Sequence, residues 1–138
     1  MLLVRDRMTM HPVTIRADAD YKEAMTLMQE HAMHHVPVLD AHNKLIGVLA
    51  ERDLVLAAMH YLQSGIEVSE IMHRGAVTAA PKMPISEAAM LMTNNQIGGL
   101  PVIDGRQRLV GIITETDIFR AFVELIGQEK TRKPRKKS

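Results

Sequence analysis

Residues 100–117, LPVIDGRQRLVGIITETD, are the stretch that decides the fold. Two apolar runs in this stretch are separated by a polar segment containing Asp104-Gly105, which is typical of a turn. The pattern predicts a buried strand, a turn, a second strand and a helix that begins near Glu115. Residues 36–53, VPVLDAHNKLIGVLAERD, show the same pattern, with the helix beginning near Glu51.

This similarity extends over most of the chain as an internal repeat with a period of 64 residues. An alignment without gaps runs from Val4 over Val68 to Ala58 over Phe122. Unrelated segments would not hold one register over this length, so we predict two copies of one structural unit. Identical pairs include Met8 and Met72, Val13 and Val77, Thr14 and Thr78, Glu23 and Glu87, Pro37 and Pro101, Asp40 and Asp104, Gly47 and Gly111, and Asp53 and Asp117.

Each copy is predicted to fold as β-α-β-β-α. Asp20 is expected to cap the first helix of the first copy, with Glu23 completing a capping box. Pro84 suits the first turn of the equivalent helix in the second copy. The proline in each middle strand, Pro37 or Pro101, predicts an edge position or a strand start, because proline cannot donate to a β-ladder. The predicted strands are 13–15, 36–39 and 45–49 in the first copy, and 77–79, 100–103 and 109–113 in the second.

The predicted fold class is α/β (α+β), with the tandem units related by a pseudo-twofold axis and their sheets packed face to face. One copy alone would leave an apolar sheet face uncovered, so a single cooperative domain is expected over 1–128. Its parts are a first unit at about 4–60, a linker at 61–67 and a second unit at about 68–126. Residues 129–138 hold six basic residues and one acid, which predicts a disordered basic tail.

Composition narrows the function classes. The chain has no cysteine, which excludes disulfides, thiolate metal sites and a cysteine nucleophile. The apolar run at the N-terminus is too short for a signal peptide, and no apolar stretch approaches the ~20 residues of a membrane helix. A cytoplasmic protein without a membrane partner is therefore expected.

The chemistry is concentrated in residues 111–117, GIITETD. Thr114 lies where it would cap the following helix, and Asp117 lies three residues later in the first turn. A carboxylate that accepts two hydroxyl protons is suited to the vicinal diol of a ribose, and the helix N-terminus favours an anion. A purely structural interpretation, with Thr114 as an N-cap and Asp117 as a first-turn acid, remains open from these residues alone.

The combined motifs of the two copies resemble the CBS (cystathionine-β-synthase) domain family over about residues 4–122. The run from Ile97 to Phe122 is also similar to the CBS part of acetoin-utilisation (AcuB-type) proteins. The segments that carry the resemblance are Val13-Thr14, His35 to Asp40 and Gly47 to Asp53 in the first copy, and Val77-Thr78, Ile97 to Asp104 and Gly111 to Asp117 in the second.

The resemblance implies a stand-alone CBS pair, or Bateman module, that binds an adenosyl ligand as a regulator and needs no catalytic cofactor. The ligand would be AMP, ADP, ATP, S-adenosylmethionine or a cyclic dinucleotide. In the first copy, Ala50 stands at the position that is Thr114 in the second copy. The site at Thr114 and Asp117 is therefore predicted to bind the ligand more strongly. The implied ligand residues are Thr114, Asp117, Thr78, Leu100 and Pro101, and in the first copy Asp53, Thr14, Val36 and Pro37.

Basic residues near these motifs are candidates for phosphate contacts, namely His34, His35, Arg52 and Arg120. The histidines are alternatively partly exposed residues at a strand edge. A metal site is not predicted, because the i, i+4 pair His31 and His35 needs a helix that Pro37 argues against.

The function favoured by the sequence is a non-catalytic regulatory module, for example in energy sensing, that acts on an effector protein in trans. The alternative is an interaction scaffold with degenerate sites and a tail that recruits a partner. Nucleic-acid binding by the tail is not favoured, because the tail lacks aromatic residues for base stacking. A homodimer is predicted through the closing helices, with contacts from Leu54, Val55, Ala58, Met59, Ile118, Phe119, Phe122 and Leu125.

Overall fold

A computed structural model of the chain describes residues 1–60 and 65–131. Helices and strands alternate as predicted for a mixed α/β fold, and both copies follow the same plan. The first copy contains α1 (Val4–Arg7), β1 (Thr9–Met10), β2 (Ile15–Arg16), α2 (Tyr21–Glu30), β3 (His35–Leu39), β4 (Leu45–Ala50) and α3 (Glu51–His60). The second contains α4 (Val68–Ile71), β5 (His73–Arg74), α5 (Ile85–Asn95), β6 (Gly99–Ile103), β7 (Leu109–Thr114) and α6 (Glu115–Thr131).

The main strands and both closing helices agree with the sequence prediction, whereas the helix caps agree only in part. Asp20 caps α2 by accepting a hydrogen bond from the Lys22 amide at 2.9 Å. The bond expected from Glu23 in a capping box is not among the described hydrogen bonds. Pro84 is the N-cap of α5, one position before the predicted first turn.

The two copies exchange their short leading strands, which the sequence did not predict. One sheet has the order β1-β7-β6, and the other has the order β2-β3-β4-β5. Strand β1 of the first copy therefore pairs with the second copy, with Thr9 opposite Ile112. Strand β5 of the second copy pairs with the first copy, with His73 opposite Val48. Each sheet is completed by a strand from the other copy.

Two equivalent glycines make this exchange possible. A Cβ atom added to Gly47 would lie 2.3 Å from the backbone oxygen of His73, and one added to Gly111 would lie 2.9 Å from that of Thr9. Side chains do not tolerate such distances to backbone atoms. The leading strands can therefore approach β4 and β7 only because these positions are glycine.

The cores are exchanged in the same way. Val4 of α1 is fully buried in the second copy's core, beside residues such as Leu100. Val68 of α4 is fully buried in the first copy's core, together with Ile66. Backbone bonds fix both turns, since Val4 N donates to Met83 O at 2.7 Å and Val68 N donates to Ala19 O at 2.8 Å.

The predicted edge position of the prolines is wrong in the first sheet, where β3 lies between β2 and β4. Strand β2 pairs only with the end of β3, at Val38 and Leu39. Pro37 precedes this paired part, and Leu39 O, two residues later, faces β2 and accepts the Ala17 amide. The side of Pro37 that lacks an N–H therefore faces a region that the short strand β2 does not reach.

Three other expectations need correction or fall outside the described part. Helix α6 continues to Thr131, so the first residues of the predicted 129–138 tail are helical. Ile66, placed in the predicted linker, belongs to the first core. Residues 61–64 of that linker and 132–138 of the tail lie outside the described residues.

Two residues predicted to form a dimer contact are instead packed inside the chain. Leu54 is 2% exposed and belongs to the first core. Ile118 is partly buried against the second core. The buried Leu54 side chain holds α3 on its own copy and is unavailable to a second chain, whereas Ile118 keeps an exposed part that lines the cleft between the copies.

Replacing Gly111 by alanine is expected to lower the free energy of unfolding by about 1–3 kcal/mol, because the new methyl group forces β1 away from β7. The measurement is urea denaturation followed by circular dichroism. Gly105→Ala is the matched control, because no atom lies within 4 Å of the added Cβ. Equal stability of the two variants would contradict the close approach.

Candidate functional site

A cleft of about 1200 Å³ opens between the two copies. The first copy supplies the end of β4 and the start of α3, including Ala50 and Asp53. The second copy supplies apolar side chains such as Val77, Met92 and Ile118. Each copy also contributes residues of the other kind, such as Val55 in the first and Asn95 in the second, so the cleft mixes polar and apolar groups as small-molecule sites commonly do.

Asp53 is held at the N-terminus of α3, facing this cleft. Its Oδ2 atom accepts a hydrogen bond from the Ala50 backbone amide at 3.0 Å. The side chain is partly buried, so the carboxylate is oriented by the helix start while it remains accessible. A fixed carboxylate at a helix N-terminus is placed to accept hydroxyl protons from a bound molecule.

Asp117 occupies the equivalent position at the start of α6 but carries an additional internal bond. Its Oδ2 accepts both the Thr114 amide at 2.8 Å and the Thr114 hydroxyl at 3.1 Å. Neither Asp117 nor Thr114 lines this cleft. The threonine that the sequence analysis assigned to a ribose therefore uses its hydroxyl proton within the protein.

His35 lies where the two copies meet. A Cβ atom on Gly98 would be 2.9 Å from His35 Nε2, and one on Gly99 would be 3.0 Å from His35 Cγ. The imidazole thus packs directly on Gly98 and Gly99. In the 64-residue repeat these two glycines are equivalent to His34 and His35. The large side chain of His35 fits between the copies because the facing residues, Gly98 and Gly99, have no side chain. This difference breaks the pseudo-twofold symmetry.

Burial lowers the pKa of His35 below the ordinary value of 6.5, although the nearby Glu115 carboxylate acts in the opposite direction. His35 is therefore neutral at pH 7. Its neighbour His34 is more exposed, and its Nδ1 contacts Glu51 Oε2. The two histidines of the motif therefore have different environments, one inside the contact between copies and one at its rim.

Four predicted ligand residues line the cleft together, and these are His34, His35, Arg52 and Asp53. The remaining predicted residues lie elsewhere. Val36, Pro37, Leu100 and Pro101 are fully buried in the cores, so their side chains do not reach the cleft. Thr14 lines a second cavity of about 390 Å³, and Thr78 and exposed Arg120 line neither cavity.

Several residues of the cleft were not predicted from the sequence. His73 and Arg74 reach it on the exchanged strand β5, and Gly98, Gly99 and Glu115 reach it from β6 and α6. The contrast between His34-His35 and Gly98-Gly99 at equivalent positions was a visible signal of asymmetry. The strand exchange was not visible, because two-residue strands have no detectable periodicity.

The described residues contain no group of three or more histidine, aspartate or glutamate side chains arranged to hold a metal ion. In the same part of the chain, every helix is too short or too polar to cross a membrane.

Comparison with known families gives two matches to the model of the CBS domain, over residues 4–60 and 68–124. The L-aspartate semialdehyde sulfurtransferase of Methanocaldococcus jannaschii is 34% identical over 120 residues, which are 87% of this chain and 23% of that enzyme. The CBS domain-containing protein YhcV of Bacillus subtilis is 34% identical over 119 residues, covering 86% of this chain and 84% of that protein. This chain thus spans about a quarter of the enzyme but most of the small CBS protein.

Solved structures with the same architecture include complexes with adenosine compounds. The CBS domain pair of protein MJ0100, in complex with 5-methylthioadenosine and S-adenosyl-L-methionine, superposes with a TM-score of 0.83 at 32% identity, covering 91% of this chain and 98% of that one. AcuB from Vibrio cholerae, an acetoin utilization protein, gives a TM-score of 0.83 at 35% identity over 94% and 98%. CBSX2 in complex with AMP gives 0.77 at 25% identity over 91% and 99%.

The lowered pKa of His35 predicts a pH-dependent stability. The unfolded chain binds a proton at this histidine more readily than the folded chain, so stability is lost as pH falls below 6.5. Urea denaturation at pH 7.5 and pH 5.5 should show a smaller loss in His35→Gln than in the wild type. His42→Gln, on an exposed turn, is the control. An unchanged pH dependence in His35→Gln would contradict the prediction.

Proposed function

Because this chain belongs to the CBS-domain family and carries two copies of that domain, we propose that it is a regulatory module whose cleft binds an adenosine-containing ligand. The observation that carries the proposal is Asp53, whose carboxylate is fixed at a helix N-terminus in a cleft shared by both copies. The complexes of the MJ0100 pair and of CBSX2 with adenosine compounds support this ligand class. Titration with AMP, ADP, ATP, S-adenosylmethionine and cyclic dinucleotides would identify which of these ligands binds.

In this proposal, Asp53 accepts the ribose hydroxyls. The sequence favoured Thr114 and Asp117 for this role, but the geometry favours Asp53. Asp53 faces the cleft and makes one backbone bond, whereas Asp117 lies outside it and already holds both donors of Thr114. Ala50 has no hydroxyl, so a ligand at Asp53 forms one hydrogen bond fewer, which weakens binding by about 0.5–1.5 kcal/mol. In this proposal, access to the cleft matters more than that loss.

The remaining walls match the other parts of such a ligand. Val77, Met92 and Ile118 form an apolar surface that can pack against an adenine ring. His34 and Arg52 line the polar side of the same cleft and can donate hydrogen bonds to phosphate or carboxylate oxygens. The ligand would thereby touch both copies at once.

Such bridging offers a route to signalling. A ligand held between the copies stabilises the arrangement that binds it best, and a partner protein in trans reads that arrangement. The same proposal includes a cytoplasmic location, because adenine nucleotides are signals within cells. We assign the chain no catalytic role, and the activities of its enzyme relatives belong to proteins of which it spans about a quarter.

A homodimer is part of this proposal. The closing helices expose large apolar side chains that a second copy would cover, and the exposed fractions are 53% for Val55, 70% for Met59, 65% for Phe119, 58% for Phe122 and 49% for Leu125. This surface also favours the second candidate, a scaffold that uses the fold for assembly alone. Ligand titration separates the two functions, because a scaffold has no need of an adenosine ligand.

Isothermal titration with AMP, ADP, ATP, S-adenosylmethionine and cyclic di-AMP tests the proposal. At least one ligand should bind the wild type and bind Asp53→Asn at least about tenfold more weakly, because the amide replaces a charged acceptor by a partial donor. Asp117→Asn is the matched control and should retain binding. Loss of binding only in Asp117→Asn would move the site to the second copy, and no binding of any ligand would favour the scaffold.

The dimer is tested by light scattering at micromolar concentration. The wild type should give twice the monomer mass of 15.4 kDa. A Phe119→Ser/Phe122→Ser variant should shift towards the monomer, because both side chains are mostly exposed in the single chain. Met90→Ser, an exposed apolar residue on α5, serves as the control. A monomeric wild type would rule out the predicted dimer.

A further inference from the structure

One rim of the cleft carries basic residues that the other copy lacks at equivalent positions. Arg52, His73 and Arg74 line the cleft together, and all three are exposed; we call them the cationic rim. In the repeat register, the equivalent positions hold Thr116, Thr9 and Met10. The ladder confirms the equivalence of the strand positions, because Val48 faces His73 where Ile112 faces Thr9, and Gly47 faces Arg74 where Gly111 faces Met10.

The strand register places this rim near the carboxylate that holds the ligand. His73 is directly opposite Val48, and Val48 is two residues before Ala50, whose amide is bonded to Asp53. Two residues of strand span about 7 Å, and adjacent strands lie about 5 Å apart. Arg52 adjoins Asp53 on the first turn of α3. These spans are of the order of the distance between the ribose hydroxyls and the 5′ substituent of an adenosine ligand.

We propose that the cationic rim makes the Asp53 cleft selective for phosphorylated adenosine ligands over uncharged or cationic ones. This inference rests on the proposed function and names the ligand class of the same cleft. Guanidinium groups bind phosphate through paired, charge-assisted hydrogen bonds. Arg74 donates one long hydrogen bond of 3.3 Å to the Ser69 backbone oxygen, and its side chain remains exposed. Two of the three rim residues thus enter the cleft on the exchanged strand β5, from the copy that does not carry Asp53.

The acidic groups nearby do not cancel this preference. Glu51 contacts His34, and Glu115 faces the half-buried His35. Both glutamates lie between the two copies and would border the Asp117 side as well. On that side, the repeat register puts Arg120 in place of Leu56. It also puts His11 in place of Gly75 and His31 in place of Asn95. Histidines occur on both sides, so the two sides differ in arginine, with Arg52 and Arg74 on the Asp53 side against Arg120 on the other.

The test compares AMP with adenosine and with S-adenosylmethionine by isothermal titration. The variant Arg52→Thr/His73→Thr/Arg74→Met gives the rim the residues of the other copy, which the same fold already accommodates at equivalent positions. The wild type should bind AMP at least about tenfold more tightly than adenosine, and this ratio should fall with added salt. In the variant the two affinities should converge, with adenosine binding unchanged. Arg5→Met, on the exposed face of α1, should behave as the wild type.

The outcomes separate this inference from the proposed function. Equal binding of AMP and adenosine by the wild type overturns the selectivity and leaves adenosine binding intact. Preference for S-adenosylmethionine over AMP overturns it in the same way. A preference for AMP that survives in the variant overturns the role of the rim. Absence of binding for all three ligands overturns both the proposed function and the inference.

Discussion

The structure depends on the close approach of two backbones at Gly47 and Gly111. At each point a leading strand from one copy lies against the third strand of the other, at a distance that a side chain would prevent. The helical turn linked to each leading strand then inserts Val4 or Val68 into the opposite core. Neither core is complete without a segment from the other copy. This reciprocity gives a physical reason for one cooperative domain, because separating the copies would open both cores.

The same exchange builds the candidate site. Because β5 belongs to the second copy but lies in the first copy's sheet, the cleft around Asp53 receives side chains from both halves of the sequence. A ligand in this position would report on the contact between copies rather than on either copy alone. His35, packed on Gly98 and Gly99, marks a close contact at which the side chains of the two copies differ in size. Divergence at this point is tolerated because only one of the two facing positions can hold a large side chain.

The sequence was least able to predict which candidate residues lie together in one site. Grouping Thr14 with Asp53 followed from their common copy, yet Thr14 lies at another cavity and Asp53 shares its cleft with Val77. Buried Leu100 and Pro101 illustrate a second difficulty: a motif residue can be characteristic of a family because it packs in the core. His34, His35, Arg52 and Asp53, which the sequence grouped as candidates, lie together at the cleft, since they flank one strand and one helix start in a single copy.

By itself, the sequence determined the repeat, the main strands and helices, and the family, because these are written in local periodicity and in a register that holds over 64 residues. Only the tertiary structure decided which copy completes which sheet, which aspartate faces a cleft, and which basic residues accompany it. Two-residue strands and four-residue helical turns carry too little local pattern to be predicted. Their positions are fixed by contacts with distant residues, at glycines whose role depends on what approaches them.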